Sequence, residues 1–466
     1  VNMIVCLAAS VVIRLGLASL FPLTADESYY WLWSKHLALS YVDHPPMVAL
    51  VNYLMTFGHE NLFAIRLGAV LITLLVSILI YFLAKEIFES EKVAFWSVVL
   101  FQFLPQFAVV WLTQFVELPA VLFWSASLLI IARIMKKRDT RLWCLLAVTL
   151  GLGYLSKYTI LFFWPCLAIY FWLAPNNRYW LKQKEPYFCF ILSLIFFAPI
   201  IIWNSQHNWI SFAFHANKAT SELWGKNVIP FVLDQLVHFT PFLLIYKFVV
   251  FNQTRKKDND LAKLLLCFSM PVFIVFLLLS VKIKVWSHWP SMAYIAAIPL
   301  VVEYLITNGK SYKKFVTWVA LFTLLILSIL FYVSPGIMLH QKEYTGNYKL
   351  ATDLPKDYKL FAPGNVSSSL FEFYAKRPVY LATGLFMPHP IWGEAQYNIW
   401  GIPDLKKGET IIFYANDTKE FRDKATQYFT KTVELPGLKL ALVEDYIGNN
   451  YKFFKLEDYK EASGHP

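Results

Sequence analysis

The sequence predicts a polytopic all-α membrane protein of about 11 transmembrane helices, followed by a C-terminal extracytoplasmic α/β domain. Three observations carry this reading. The first is composition: apolar residues make up 58% of the 466, charged residues 16% and aromatics 18%. A soluble domain holds roughly 45–50% apolar and ~25% charged residues. A water-soluble globule cannot hide that much apolar surface and still cover itself with polar groups. The second is a series of long apolar runs, and the third is an abrupt change of character near Ser334. Together they exclude a disordered chain, a disulfide scaffold and an ordinary cytosolic enzyme.

A spanning helix needs roughly 20 mostly apolar residues. Segments of that kind occupy 3–22, 62–84, 93–113, 118–135, 142–156, 159–174, 187–203, 229–251, 264–281, 290–307 and 314–333. The first is long for a signal-peptide core and carries Arg14, and more spans follow, so it reads as a retained helix. Basic residues gather in alternate connections: Arg133, Lys136, Lys137, Arg138 and Arg141; Arg178, Lys182 and Lys184; Arg255, Lys256, Lys257 and Lys263; Lys310, Lys313 and Lys314. Because Lys and Arg collect on the cytoplasmic side, these loops are placed inside and the others outside. The N-terminus is then cytoplasmic, and an odd number of spans puts the C-terminus outside. This asymmetry accounts for most of the formal charge of +11 and removes nucleic acid as a partner. The five cysteines lie in apolar stretches with no metal-ligand spacing, so neither a disulfide framework nor a zinc site is expected.

Residues 334–466 hold no long apolar run. Alternating segments at 358–362, 410–415, 431–435 and 451–456 read as strands, and 367–375 and 418–429 as helices, with Ser367 and Thr418 as N-caps. The division is therefore 1–333, a transmembrane domain, and 334–466, an extracytoplasmic α/β domain.

The residues able to do chemistry gather in the outer connections. The first outer loop contains Thr24-Ala-Asp-Glu-Ser-Tyr-Tyr-Trp-Leu-Trp and Tyr41-Val-Asp-His-Pro-Pro-Met. Tyr29, Tyr30, Trp31 and Trp33 suggest a helix lying at the membrane interface. Asp26, Glu27, Asp43 and His44 form an acid/base or metal-binding candidate facing a membrane-bound substrate. Glu27 has a second reading, because Thr24-x-x-Glu27 fits a capping box. Glu117 opens a helix behind a very short loop. The helix dipole favours a carboxylate there, yet an acid at the bilayer edge is also a functional candidate. Lys157, in an outer turn, runs against the charge trend and suits either a phosphate or a lipid headgroup. Arg66 has the same two readings. Lys282, Lys284 and His288 add to an outer face that attracts phosphate, whereas His207 and His215 read as ordinary loop histidines.

Asp26-Glu27, Asp43-His-Pro-Pro-Met, Glu117-Leu-Pro, Gly153-Tyr-Leu-Ser-Lys157-Tyr, Trp203-Asn-x-x-His207-x-Trp and His288-Trp-Pro occur in an order that resembles the bacterial protein-mannosyltransferase-like glycosyltransferases. That group has the GT-C fold and includes the aminoarabinose and galacturonic acid transferases of lipid A. The resemblance runs from about residue 20 to 333. It implies a GT-C-like catalytic domain in the bacterial inner membrane, with the α/β domain periplasmic. The partners implied are a polyprenyl-phosphate-linked sugar donor, a lipid or glycan acceptor of the lipid A kind, and membrane lipids. Asp26 takes the place of the family's first-loop catalytic aspartate, and Glu117 stands where many members have Asp. Lys157 matches a lysine associated with the donor phosphate, which Arg66, His44 and His288 would help to hold. His44 and Asp43 stand where the aminoarabinose transferases have Lys and Glu, which argues against an aminoarabinose donor. Asp43 or Glu27 would orient the acceptor or bind a divalent cation, Mg²⁺ or Mn²⁺, although no cofactor is required. The alternative is a multi-span lipid or sugar transporter or flippase with an outer binding domain. Transporters place ionisable groups near mid-membrane, whereas here they gather at the outer ends and few sit mid-span, Arg14 being one exception.

Overall fold

The computed structural model describes residues 2–18, 23–218, 225–255, 259–333, 354–381, 395–435 and 451–460. The chain divides into two compact units interleaved in sequence. One comprises Val1–Ala18, Ala38–Val51 and Arg66–Leu330; the other Ser19–Leu37, Asn52–Ile65 and Phe331–Pro466. The boundary read at 333/334 borders a stretch, 334–353, outside the described residues.

The first unit is helical. Its elements are α1 (Met3–Ala18), the start of α3 (Met47–Thr56), most of α4 (Leu62–Phe88), α5 (Glu91–Phe103), α6 (Pro105–Ala108), α7 (Glu117–Lys137), α8 (Leu142–Tyr154), α9 (Phe163–Leu173), α10 (Glu185–Leu194), α11 (Ala198–Gln206), α12 (Ile210–Lys218), α13 (Val228–Phe239), α14 (Pro241–Thr254), α15 (Asp260–Leu279), α16 (Ser291–Thr307) and α17 (Tyr312–Val333). Among the described residues, each apolar run identified in the sequence is mostly helical, with breaks inside some of them. Among the described residues, five helices are long and apolar enough to cross a membrane, or up to seven if each bent pair counts as one span.

The two bends have local causes. At the first, α5 and α6 meet at 72°. Pro105 cannot continue α5, because it lacks the N–H a helix interior needs. Arg14, buried on α1, repairs the break: its Nη2 donates to Phe107 O at 2.7 Å and to Gln102 Oε1 at 2.9 Å. This is how a broken helix is tolerated in apolar surroundings, by a neighbour bonding the freed backbone. At the second, α13 and α14 meet at 100°. Thr240 holds the corner with φ +66°, a region that β-branched residues rarely enter. Its Oγ1 caps α14 by accepting from Leu243 N–H at 3.3 Å, with Pro241 in the first turn.

The core between helices mixes aliphatic side chains with aromatic pairs. Trp124 of α7 meets Phe163 and Phe268 edge-on at 5.7 and 5.6 Å. The turn at 195–197, which follows α10, approaches α8 closely because Gly151 carries no side chain facing Phe196. Lys247 of α14 is buried mid-helix, its Nζ 4.2 and 4.5 Å from the ring centres of Phe273 and Tyr294. This cation inside an apolar run was not singled out in the sequence, and it adds to Arg14 as an ionisable group away from the helix ends.

The second unit joins part of the first outer loop to the C-terminal region. It contains α2 (Ala25–Lys35), β1 (Lys359–Ala362), α18 (Asn365–Ala375), β2 (Val379–Leu381), α19 (Ala395–Trp400), β3 (Ile411–Asn416), α20 (Lys419–Tyr428), β4 (Phe429–Glu434) and β5 (Tyr451–Tyr459). The α/β reading of the C-terminal region therefore holds. The sheet order is β2-β1-β3-β5-β4, with β2, β1 and β3 parallel and β5 antiparallel to β3 and β4. Alternate residues feed two cores. Leu360, Ile412, Tyr414 and Phe453 pack with Phe371 of α18; Phe361, Phe413, Phe454 and Leu456 pack with Phe421 of α20. Thr418 caps α20 as expected, but α18 begins earlier than the sequence suggested. Its cap is Gly364, and Ser367 lies inside the helix, with its hydroxyl bonded back to Gly364 O.

Replacing Gly151 with Ala drives the new methyl into the ring of Phe196. The overpacking outweighs the gain in helix propensity, at about 1–3 kcal/mol. The midpoint of thermal unfolding in detergent is expected to fall, and Phe196→Ala added to Gly151→Ala is expected to restore part of it.

Candidate functional site

Three sequence candidates come together inside the first unit: Glu117, Lys157 and His288. Glu117 is the first residue of α7, so its carboxylate sits at the positive end of the helix dipole. Lys157 is delivered by the end of α8. The N–H groups of Ser156 and Lys157 both donate to Gly153 O, at 2.9 Å each, which turns the chain tightly. Gly153 permits this: a Cβ there would lie 3.0 Å from Ile160. Met47 N–H donates to Leu155 O at 2.9 Å, tying the His44-Pro-Pro-Met47 segment to the same turn.

Lys157 Nζ donates to Glu117 Oε1, and both side chains are almost fully buried, at 6% and 3% exposure. His288 Nε2 approaches the same Oε1 at 3.3 Å. Trp289 lies under the ammonium, its ring centre 5.5 Å from Nζ. The second oxygen, Glu117 Oε2, is buried and has no hydrogen-bond partner among the described residues. His44 lies within electrostatic reach of Glu117. Its ring centre is 6.3 Å from that of His215, whose Nε2 contacts Asp43 O at 3.1 Å. His215 is thus joined to the first-loop motif, an association that a sequence separation of 172 hid from sequence reading. Arg66 is buried on α4, and its Nη1 donates to Ala18 O, the last residue of α1, at 2.8 Å. That bond satisfies an orphan carbonyl at the helix end.

In the second unit, Asp26 is exposed on the first turn of α2 and Glu27 is fully buried. The capping box is formed: Thr24 N–H donates to Glu27 Oε2 at 3.0 Å, and Glu27 N–H to Thr24 Oγ1 at 3.4 Å. Of its two readings, Glu27 shows the structural one, and the cap fixes the turn that carries Asp26. The interface reading of α2 needs correction. Tyr29, Tyr30, Trp31 and Trp33 are buried in protein, because α2 packs on α18. Trp31 meets Phe373 edge-on at 5.0 Å, Tyr29 stacks on Tyr397 at 6.3 Å, and Ser28 and Ser369 share a hydroxyl bond at 2.8 Å. Lys35 Nζ reaches Glu372 Oε1 at 2.9 Å. Burial pushes the Glu372 carboxyl above its ordinary range, with Lys35 pulling the other way.

Among the described residues no group of three or more His, Cys, Asp and Glu side chains could hold a divalent cation, and Glu117 already carries two cationic neighbours.

Residues 43–203 match the dolichyl-phosphate-mannose-protein mannosyltransferase family. The lipid A galacturonosyltransferase RgtD of Rhizobium johnstonii is 26% identical over 283 residues, 59% of each chain. The undecaprenyl phosphate-α-4-amino-4-deoxy-L-arabinose arabinosyl transferase of Edwardsiella ictaluri is 25% identical over 228 residues, 46% of this chain and 38% of that one. The chain thus spans less than two thirds of the length of these relatives. In structure, ArnT from Cupriavidus metallidurans bound to undecaprenyl phosphate superposes with a TM-score of 0.69 over 97% of both chains at 14% identity. The chain is similar to the lipid A-modifying glycosyltransferases, and it has the fold of ArnT. An Archaeoglobus fulgidus oligosaccharyltransferase is a more distant likeness, with a TM-score of 0.55 over 91% of this chain and 71% of that one at 11% identity.

Removing one member of the buried pair strands the other charge, at a cost of about 3–5 kcal/mol. Lys157→Met and Glu117→Gln are each expected to lower the thermal midpoint in detergent. A Lys157→Met/Glu117→Leu protein, which buries no lone charge, is expected to melt closer to wild type than Lys157→Met alone.

Proposed function

We propose that the protein is a membrane glycosyltransferase. It moves a sugar from a polyprenyl-phosphate donor to a hydroxyl or phosphate of a lipid A-like lipid or glycan. The observation that carries this is the buried Glu117–Lys157–His288 cluster, in a chain that has the fold of ArnT and is similar to a lipid A galacturonosyltransferase. In this reading the chain crosses a bacterial inner membrane about 11 times, with the N-terminus cytoplasmic. Residues 1–333 form the catalytic domain, and 334–466 lie in the periplasm.

The acceptor oxygen attacks the anomeric carbon of the sugar as the bond from that carbon to the phosphate oxygen breaks. Polyprenyl phosphate leaves with the electron pair, and the configuration inverts. The developing phosphate charge is met by Lys157, whose ammonium has three N–H donors and spends one on Glu117. His288 and His44 add positive character to the same region. Glu117 holds Lys157 in place, and Arg66 supports the outer end of α1. Asp26 takes the proton of an acceptor hydroxyl; its place in the first turn of α2 suits a carboxylate. Asp43 orients the acceptor. No step passes through a metal.

Purified protein given labelled undecaprenyl-phosphate sugars and lipid A tests this. Label is expected to move to the acceptor; label that only crosses the bilayer of a vesicle unchanged would identify a transporter instead. Asp26→Asn is expected to lower kcat by roughly 10²-fold or more with little change in donor KM, and undiminished activity would refute the base assignment. Turnover is expected to survive EDTA treatment, and a loss restored by Mg²⁺ or Mn²⁺ would bring a metal into the mechanism.

A further inference from the structure

A glutamine buried in an apolar helix is costly unless its amide is bonded on both sides. Gln235, fully buried on α13, is bonded on both sides. Its Oε1 accepts from Tyr294 OH at 3.0 Å, and its Nε2 donates to Ser287 O at 3.2 Å. Tyr294, also fully buried, belongs to the first turns of α16. Ser287 O lies in the peptide plane that enters His288. The plane that leaves His288 is pinned as well, since His288 O accepts from Ser291 N–H at 3.1 Å and from Ser291 Oγ at 2.6 Å. Peptide groups are rigid planes, so fixing the two that flank a Cα fixes φ and ψ there. Only the side-chain torsions of His288 remain, and its ring lies between Phe115 and Trp286, with centroids at 5.8 and 6.5 Å.

We propose that Gln235 is a positioning residue for His288: held by Tyr294, it clamps the Ser287 carbonyl and thereby keeps the imidazole on Glu117. An apolar side chain would fill the same space on α13, but it would leave the entering peptide free to rotate. The Thr240 corner, which turns α14 away at 100°, falls immediately after the helix that carries this clamp. The consequence for catalysis rests on the function proposed above; the positioning itself does not.

Two measurements on the full-length protein separate these. The first uses no substrate. Diethyl pyrocarbonate modifies accessible histidines, and peptide mass spectrometry reads each site. Gln235→Leu is expected to raise the rate at His288 several-fold, and Tyr294→Phe to raise it less. His207, whose Nδ1 contacts Trp203 O at 2.7 Å, is the internal control and should not change. An unchanged rate at His288, or equal rises at His288 and His207 from general loosening, overturns the proposal. The second is a double-mutant cycle in the sugar-transfer assay. Gln235→Leu should lower kcat/KM roughly tenfold in the wild-type background, and by less than about twofold once His288 is Ala. The same factor in both backgrounds shows that Gln235 does not act through His288. If wild-type protein transfers no sugar, the function fails, and the histidine-labelling result alone decides the positioning.

Discussion

Two opposite charges buried together where α7 begins and α8 ends set the terms for their surroundings. Each ion costs several kcal/mol to take out of water, and their attraction repays this only with good geometry and further bonds. Glu117 and Lys157 draw part of that support from neighbours in distant parts of the sequence, the dipole of α7, the imidazole of His288 and the face of Trp289, while Glu117 Oε2 has no hydrogen-bond partner among the described residues. The features that bring them together are backbone features. Gly153 allows the chain to double back within one turn, and the Met47 N–H anchors the Pro-Pro segment to that turn. A charged pair of this kind contributes little net stability. Its geometry keeps the ammonium desolvated and oriented against Glu117 and the face of Trp289.

Much of the helical architecture was legible in the sequence, because apolar length is a strong signal and, among the described residues, the runs are mostly helix. What the runs concealed was their interruptions. Pro105 breaks one segment and the Thr240-Pro241 corner another. Hydropathy averages over such breaks, since the residues on either side are equally apolar. In the C-terminal region, alternation located four strands but missed Val379–Leu381, which is too short for a period-two pattern to register. Ser367 misled as a cap because Gly364, with no side-chain oxygen, holds the position instead.

The site was partly legible, for a similar reason. Charged residues stand out against an apolar background, so Glu117, Lys157 and His288 were each visible as candidates. Their pairing was not, since it spans 40 residues in one case and far more in the other. Supporting residues were harder to see. Gln235, Ser291 and Tyr294 carry no formal charge and match no motif; only their hydrogen bonds reveal what they hold. Lys247 was missed because one cation in a long apolar run barely lowers its hydropathy.

The aromatic stretch of the first outer loop shows how composition can point to the wrong partner. Tyr29, Trp31 and Trp33 have the character of a membrane-interface belt, in which a ring is half apolar and half polar. The same character suits a helix buried against an α/β layer. The seryl pair Ser28–Ser369 and the ion pair Lys35–Glu372 are contacts that lipid could not supply. An amphipathic helix does not record which apolar surface it will meet; that is settled by whichever surface also satisfies its polar groups. Here α18 does so, and the turn bearing Asp26 belongs to the folded α/β unit. The carboxylate assigned to proton transfer therefore depends on the C-terminal segment for its orientation, although more than 300 residues separate them in sequence.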